Sequence, residues 1–196
     1  MIAMHDEAGQ PEPQGAALPY RPGRAALELA VRRLDEAERQ RQPAAMCEAL
    51  AGIGRCYSAL SAYPQAMDFM RQALRWSYAL GSVDQRVELL CELAELACTA
   101  AEYVDVDEED GERQARAARD LARDMAFEAA KVAAHAADPH WEIKVLLRAS
   151  DALDRLGDHD DAVTLQTRAM TLMVRHPDVS DAMIDGSPRA FDGRVM

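Results

Sequence analysis

Four glutamates, Glu88, Glu92, Glu95 and Glu102, follow one another at intervals of four, three and seven residues. On a helix this spacing places all four carboxylates on one stripe. From Val87 to Glu112 there is no lysine or arginine, so no cation stands one turn away to pair with them inside their own helix. Two readings fit the pattern: an acidic patch that recruits a basic or polar segment, or an ordinary helix face turned to water. The stretch "DVDEEDG", Asp105 to Gly111, alternates acids before a glycine as a calcium loop does. An EF-hand loop needs Gly at its sixth position and Glu at its twelfth. Counted from Asp105 these are Asp110 and Arg116, so the stretch reads as a solvated acidic loop.

The remaining reactive residues do not assemble a catalytic pattern. Cys47, Cys56, Cys91 and Cys98 contain no C-x-x-C pair. Cys91 and Cys98 share a helix face, but two turns separate them by about 10 Å, too far for a disulfide. His5, His135, His140, His159 and His176 have no H-E-x-x-H spacing and no neighbouring cysteine cluster. A glycine-rich phosphate loop and a G-x-S-x-G elbow are both missing. No cofactor or metal is therefore expected, and no enzyme activity.

Composition points to helices. The chain has 196 residues, 49% of them apolar and 5% aromatic, and alanine and leucine carry the apolar share. The net charge of −12 disfavours nucleic acid and anionic membrane surfaces. No apolar run approaches the roughly 20 residues of a membrane span. The first residues, "MIAMHDEAGQPEPQG", show no basic region leading into an apolar one. A cytoplasmic protein with reduced thiols is the expectation.

The periodicity predicts about seven helices across residues 22–176, between a disordered segment at 1–21 and a mobile tail at 177–196. The first helix shows its stripe in Leu27, Ala30, Val31, Leu34 and Ala37, and Pro43 ends it. Helices from about Ala44 to Leu60 and Pro64 to Leu80 follow. Gly81 suits a C-terminal cap, and Ser82 with Gln85 has capping-box spacing. Further helices are expected at about Asp84–Ala101, Glu112–Ala137, Asp138–Leu156 and His159–Arg175. Asp138 and Asp158 are the expected N-caps of the last two.

Leu50, Ile53, Gly54 and Tyr57, then Ala66, Met70 and Ala73, fill most of the W-x2-L-G-x2-Y…A-x3-F pattern, with Leu in place of Trp. Leu146, Ala149, Ser150, Leu153, Leu156, Gly157, Asp158, Ala162, Gln166 and Ala169 repeat it near the end. Leu90, Leu93, Ala94 and Ala97 fit the first helix of a middle copy, whose second helix fits loosely after the acidic insert. Over about residues 44 to 175 the chain resembles a three-repeat tetratricopeptide protein. The resemblance implies an all-α fold, antiparallel helix hairpins stacked as a short right-handed superhelix. It implies that the first helix of each hairpin lines a concave face that binds peptides or protein segments, without catalysis. Its groove positions fall on Glu48, Arg55, Glu88, Glu92, Glu95, Lys144, Arg148, Asp151 and Asp154. Some members clamp a C-terminal carboxylate; Lys144 and Arg148 match that pair, but Glu92 would repel the ligand. The expected function is a protein- or peptide-binding adaptor for a segment carrying basic residues. The alternative is a structural or regulatory protein acting as a homodimer.

Overall fold

The computed structural model describes residues 22–104 and 110–177. The terminal segments named above and most of the acidic loop, 105–109, lie outside the described residues. Seven helices form, with no strand among the described residues: α1 (Pro22–Arg39), α2 (Pro43–Ala59), α3 (Tyr63–Leu80), α4 (Val83–Tyr103), α5 (Gly111–Ala133), α6 (Pro139–Arg155) and α7 (His159–Arg175). Each helix packs on the next, and α4 also packs on α6. Short connections make antiparallel hairpins of α2–α3, α4–α5 and α6–α7, with α1 laid against α2.

Punctuation residues explain the boundaries. Pro43, Pro64 and Pro139 sit in first turns, where the missing N–H costs nothing. The Ser82 hydroxyl accepts from the Gln85 N–H at 3.4 Å. Asp138 accepts from the N–H groups of His140 and Trp141 at 2.9 and 3.3 Å. α5 stops at Ala133 rather than Ala137, because Asp138 must turn extended ahead of Pro139. Asp158 does not cap α7 with its side chain; both its oxygens are taken by Arg123, at 2.7 and 3.0 Å. A bidentate guanidinium outcompetes a neutral N–H for a carboxylate.

The core confirms the crossing residues. Ala66, Ala73, Leu90, Leu93, Ala97, Leu146, Leu153 and Ala169 have no exposed surface. A Cβ added to Gly54 would stand 2.9 Å from Met70 Cγ and 3.2 Å from the Ala66 carbonyl oxygen. Glycine is what lets α2 and α3 approach there. α5 meets its neighbours through Ala115, Ala118, Ala122, Ala126, Ala129 and Ala133, all buried at helical spacing. Two expectations need correction. Val31 faces solvent, and the α1 contact runs through Ala30 and Ala37 instead. Gln166, at the large position of the third copy, is exposed rather than packed, because a primary amide has no partner inside an alanine-lined crossing.

Candidate functional site

The face shared by α2, α4 and α6 carries most of the charged residues singled out above. α4 lies in the middle and presents Glu88, Glu92, Glu95, Thr99 and Glu102 along one stripe. α2 brings Glu48 and Arg55 to one side of it. α6 brings Lys144, Arg148, Asp151 and Arg155, again at intervals of four, three and four.

These residues do not leave the glutamate stripe unpaired. Arg55 donates through Nε and Nη2 to the two oxygens of Glu92, both at 2.8 Å, and reaches Glu48 at 3.4 Å. Arg148 forks between two carboxylates, Nε to Glu95 at 2.7 Å and Nη1 to Glu88 at 2.8 Å. Arg155 donates to Glu102 at 3.1 and 2.9 Å and to the Thr99 hydroxyl at 3.1 Å. No cation stands one turn from the stripe in its own helix, where Arg86 lies over the Tyr78 ring instead, but α2 supplies one arginine and α6 two. Arg148 and Arg155 repeat at the same interval of seven as Glu88, Glu95 and Glu102, so two parallel helices interlock like teeth. That matched interval was visible in the sequence; knowing that α6 lies beside α4 was needed to use it.

Electrostatics follow from these contacts. The hydrogen bond to Glu92 raises the pKa of Arg55. Burial works against the charge of Arg148, but its bonds to Glu95 and Glu88 more than offset this, and its pKa is raised. Arg155 behaves alike through Glu102. The side chains of Glu92 and Arg148 are 18% and 22% exposed, so the pairs are partly shielded from water. Such pairs contribute about 0.2–1 kcal/mol each. Beneath them, burial pushes the Cys91 thiol up to about 12 and Cys98 up to about 11. Both stay protonated and unreactive near neutral pH.

Not every expected groove residue joins the network. Lys144 and Asp151 stand exposed on the α6 stripe without an ion-pair partner among the described residues. Asp154 lies off the stripe and meets His159 Nδ1 at 2.6 Å. Arg148 is committed to two glutamates, so it is not free to clamp a ligand carboxylate. Sequence reasoning passed over Arg155 and Thr99, although Arg155 sits seven residues after Arg148. Two cavities flank Arg55. One of about 360 Å³ lies between α2 and α4, lined by Ser58, Met70, Glu92, Leu96 and Thr99. The other, about 350 Å³, lies between α1 and α2, beside Glu48 and Gly52. Among the described residues no three of His, Cys, Asp and Glu are grouped as a metal site requires. No described helix is long and apolar enough to cross a membrane.

No protein-family model matches the chain, and no curated protein matches it. Solved structures do. The DHF58 filament is 19% identical with a TM-score of 0.43, over 81% of this chain and 84% of that one. BtubC (BKLC) from P. vanneervenii is 18% identical with a TM-score of 0.36, over 89% of this chain and 80% of that one. At these scores the likeness carries no argument about architecture or function. What the chain is similar to here are other protein chains of comparable length, while its own all-helical fold rests on the seven helices described above.

Proposed function

We propose that the protein is a non-catalytic binding module of tetratricopeptide type, and that the α2–α4–α6 face receives a protein or peptide segment. The observation that carries this reading is the face shared by the first helices, with polar stripes on α4 and α6, Glu48 and Arg55 on α2, and a shallow cavity between α2 and α4. A self-contained enzyme site would instead gather a base, a nucleophile or a metal set. The face holds Glu48, Glu88, Glu92, Glu95 and Glu102 against Arg55, Arg148 and Arg155. The excess is acidic, so a segment carrying Lys or Arg is favoured, though less strongly than a stripe of free carboxylates would favour it. Apolar contact is offered by Ala45 and Ala59 of α2, which line the two cavities and keep exposed surface.

Asp151 tests this reading, because it lies on the face outside the ion-pair network and its replacement leaves the scaffold intact. Asp151→Lys adds a cation to the face and should weaken capture of a basic partner from native lysate severalfold, while the circular dichroism spectrum is unchanged. Arg119→Glu, on exposed α5, should leave capture as it was. Equal loss from both variants, or from neither, removes the α6 stripe from the binding face.

A further inference from the structure

α7 carries a second surface with a different chemistry. Val163, Met170 and Val174 are 58%, 64% and 82% exposed. Together with exposed Thr167 they recur at intervals of four, three and four. That is the spacing of a coiled-coil seam, in which apolar side chains repeat every 3.5 residues on average. The helix already buries Ala162 and Ala169 against its own chain, so this seam points elsewhere. The other exposed large apolar side chains of the described residues are spread over four helices and the turn after α2, without such a run.

We propose that the seam is a dimerisation surface, and that its occupant is α7 of a second copy lying antiparallel. Two features select that occupant. The first is register. An antiparallel pair centred between Arg168 and Ala169 sets Val163 against Val174 of the second copy, twice, and Thr167 against Met170, twice. A two-fold axis makes each contact its own reciprocal. The second is charge. Asp160 and Asp161 stand in the first turn of α7 and Arg175 in the last. None of the three joins an ion pair within the chain among the described residues. Antiparallel packing brings Asp160 of one copy within one turn of Arg175 of the other, on the same flank of the seam and at both its ends. A parallel pair would set like charges together and lose this complementarity. The antiparallel pair also places opposite ends of the helix dipoles side by side.

One helix per copy is a small interface, so association should be read as mass that depends on concentration. Sedimentation of the full chain across a dilution series should show the weight-average mass rising toward twice that of the monomer. Met170→Lys with Val174→Glu should remain monomeric throughout, with unchanged helical content, since both side chains are exposed. Asp160→Arg should weaken association severalfold at low salt, and adding Arg175→Asp should restore part of it. Register is tested by Val163→Cys with Val174→Cys. Within one helix these positions are about 16 Å apart and cannot join. Across the axis they meet, so mild oxidation should give a covalent dimer from the double variant and not from either single one. A wild-type chain that is monomeric at every concentration overturns the proposal. So does dimerisation that survives Met170→Lys with Val174→Glu. Equal cross-linking by the single variants overturns the antiparallel register. Slow reaction of Val174→Cys with a thiol reagent in a monomeric chain assigns the seam to the chain's own residues 178–196, and that also overturns it.

Discussion

Hairpins α2–α3 and α6–α7 set equivalent backbone positions side by side, yet fill them differently. Gly54, Ala66, Met70 and Ala73 of the first correspond, by one constant offset, to Ser150, Ala162, Gln166 and Ala169 of the last. The two alanines are kept and buried in both. In the first hairpin a missing Cβ makes room for a large thioether, and Met70 is nearly fully buried against Gly54. In the last, Ser150 returns its hydroxyl to the Leu147 carbonyl at 2.8 Å, and the long Gln166 side chain swings out to water. The same crossing is thus closed by a large apolar side chain in one copy and by two small faces in the other. The turns differ as well. Ser61 adopts φ 58° where the equivalent Gly157 adopts φ 84°. The left-handed region costs serine energy that glycine does not spend.

The largest effect that would break this comparison is at the glycine. Gly54→Leu should lower stability by about 1–3 kcal/mol, because overpacking forces Met70 and the Ala66 backbone apart. Ser150→Gly should cost only about 0.5 kcal/mol, the helix-propensity difference. Urea unfolding of both variants measures the contrast. Similar losses at the two sites would mean that the hairpins are equally tight.

Next comes the way each hairpin is tied to α4. The first uses Arg55; the last uses Arg148 and Arg155, where the first has Gly52 and Ala59. Arg148→Met should cost about 1 kcal/mol, with much of it lost again if Glu95 is also replaced. Arg148→Lys should recover only part, since an ammonium cannot fork between Glu88 and Glu95 as a guanidinium does. A double-mutant cycle at low and high salt checks both statements.

The turns should answer in opposite directions. Gly157→Ala should destabilise by about 1 kcal/mol, and Ser61→Gly should stabilise by a smaller amount. Thermal melts of the two variants sharpen the comparison, and a loss in both would show that Ser61 is held by more than its backbone angle.

The smallest effect is a pH dependence confined to the last hairpin. The hydrogen bonds from Arg123 hold the Asp158 carboxyl below its ordinary range. A lowered folded-state pKa gives stability that is present above the unfolded value and is lost as the pH falls through the folded one. Stability should therefore decline below about pH 4, and Asp158→Asn should flatten that part of the curve. Ala62, the equivalent residue of the first hairpin, offers no such group.

Much of the scaffold was legible because it depends on local rules. Apolar periodicity marked seven helices, the prolines and Ser82 marked their starts, and the small residues at Gly54 and Ala66 marked a crossing. The misreadings fell where two elements compete for one group. Asp158 has the residue type and place of an N-cap, but a guanidinium from α5 takes it. Val31 fits the stripe of α1 by spacing, yet among the described helices α1 packs chiefly on α2 and its contact is narrower than the stripe.

The glutamate stripe shows the same division. The sequence by itself determined that Glu88, Glu92, Glu95 and Glu102 share a helix face and that no cation in that helix serves them. Both statements follow from the pitch of an α-helix. Whether the carboxylates are free could be decided only by tertiary structure, because their partners, Arg55, Arg148 and Arg155, come from helices 37 to 60 residues away in the chain. Ion pairing acts over a few ångströms of space and is indifferent to sequence separation. Packing α4 between α2 and α6 turned an apparent acidic patch into a largely compensated ladder. It left the seam on α7, a single helix with one face unused, as the surface whose apolar spacing the chain itself does not satisfy.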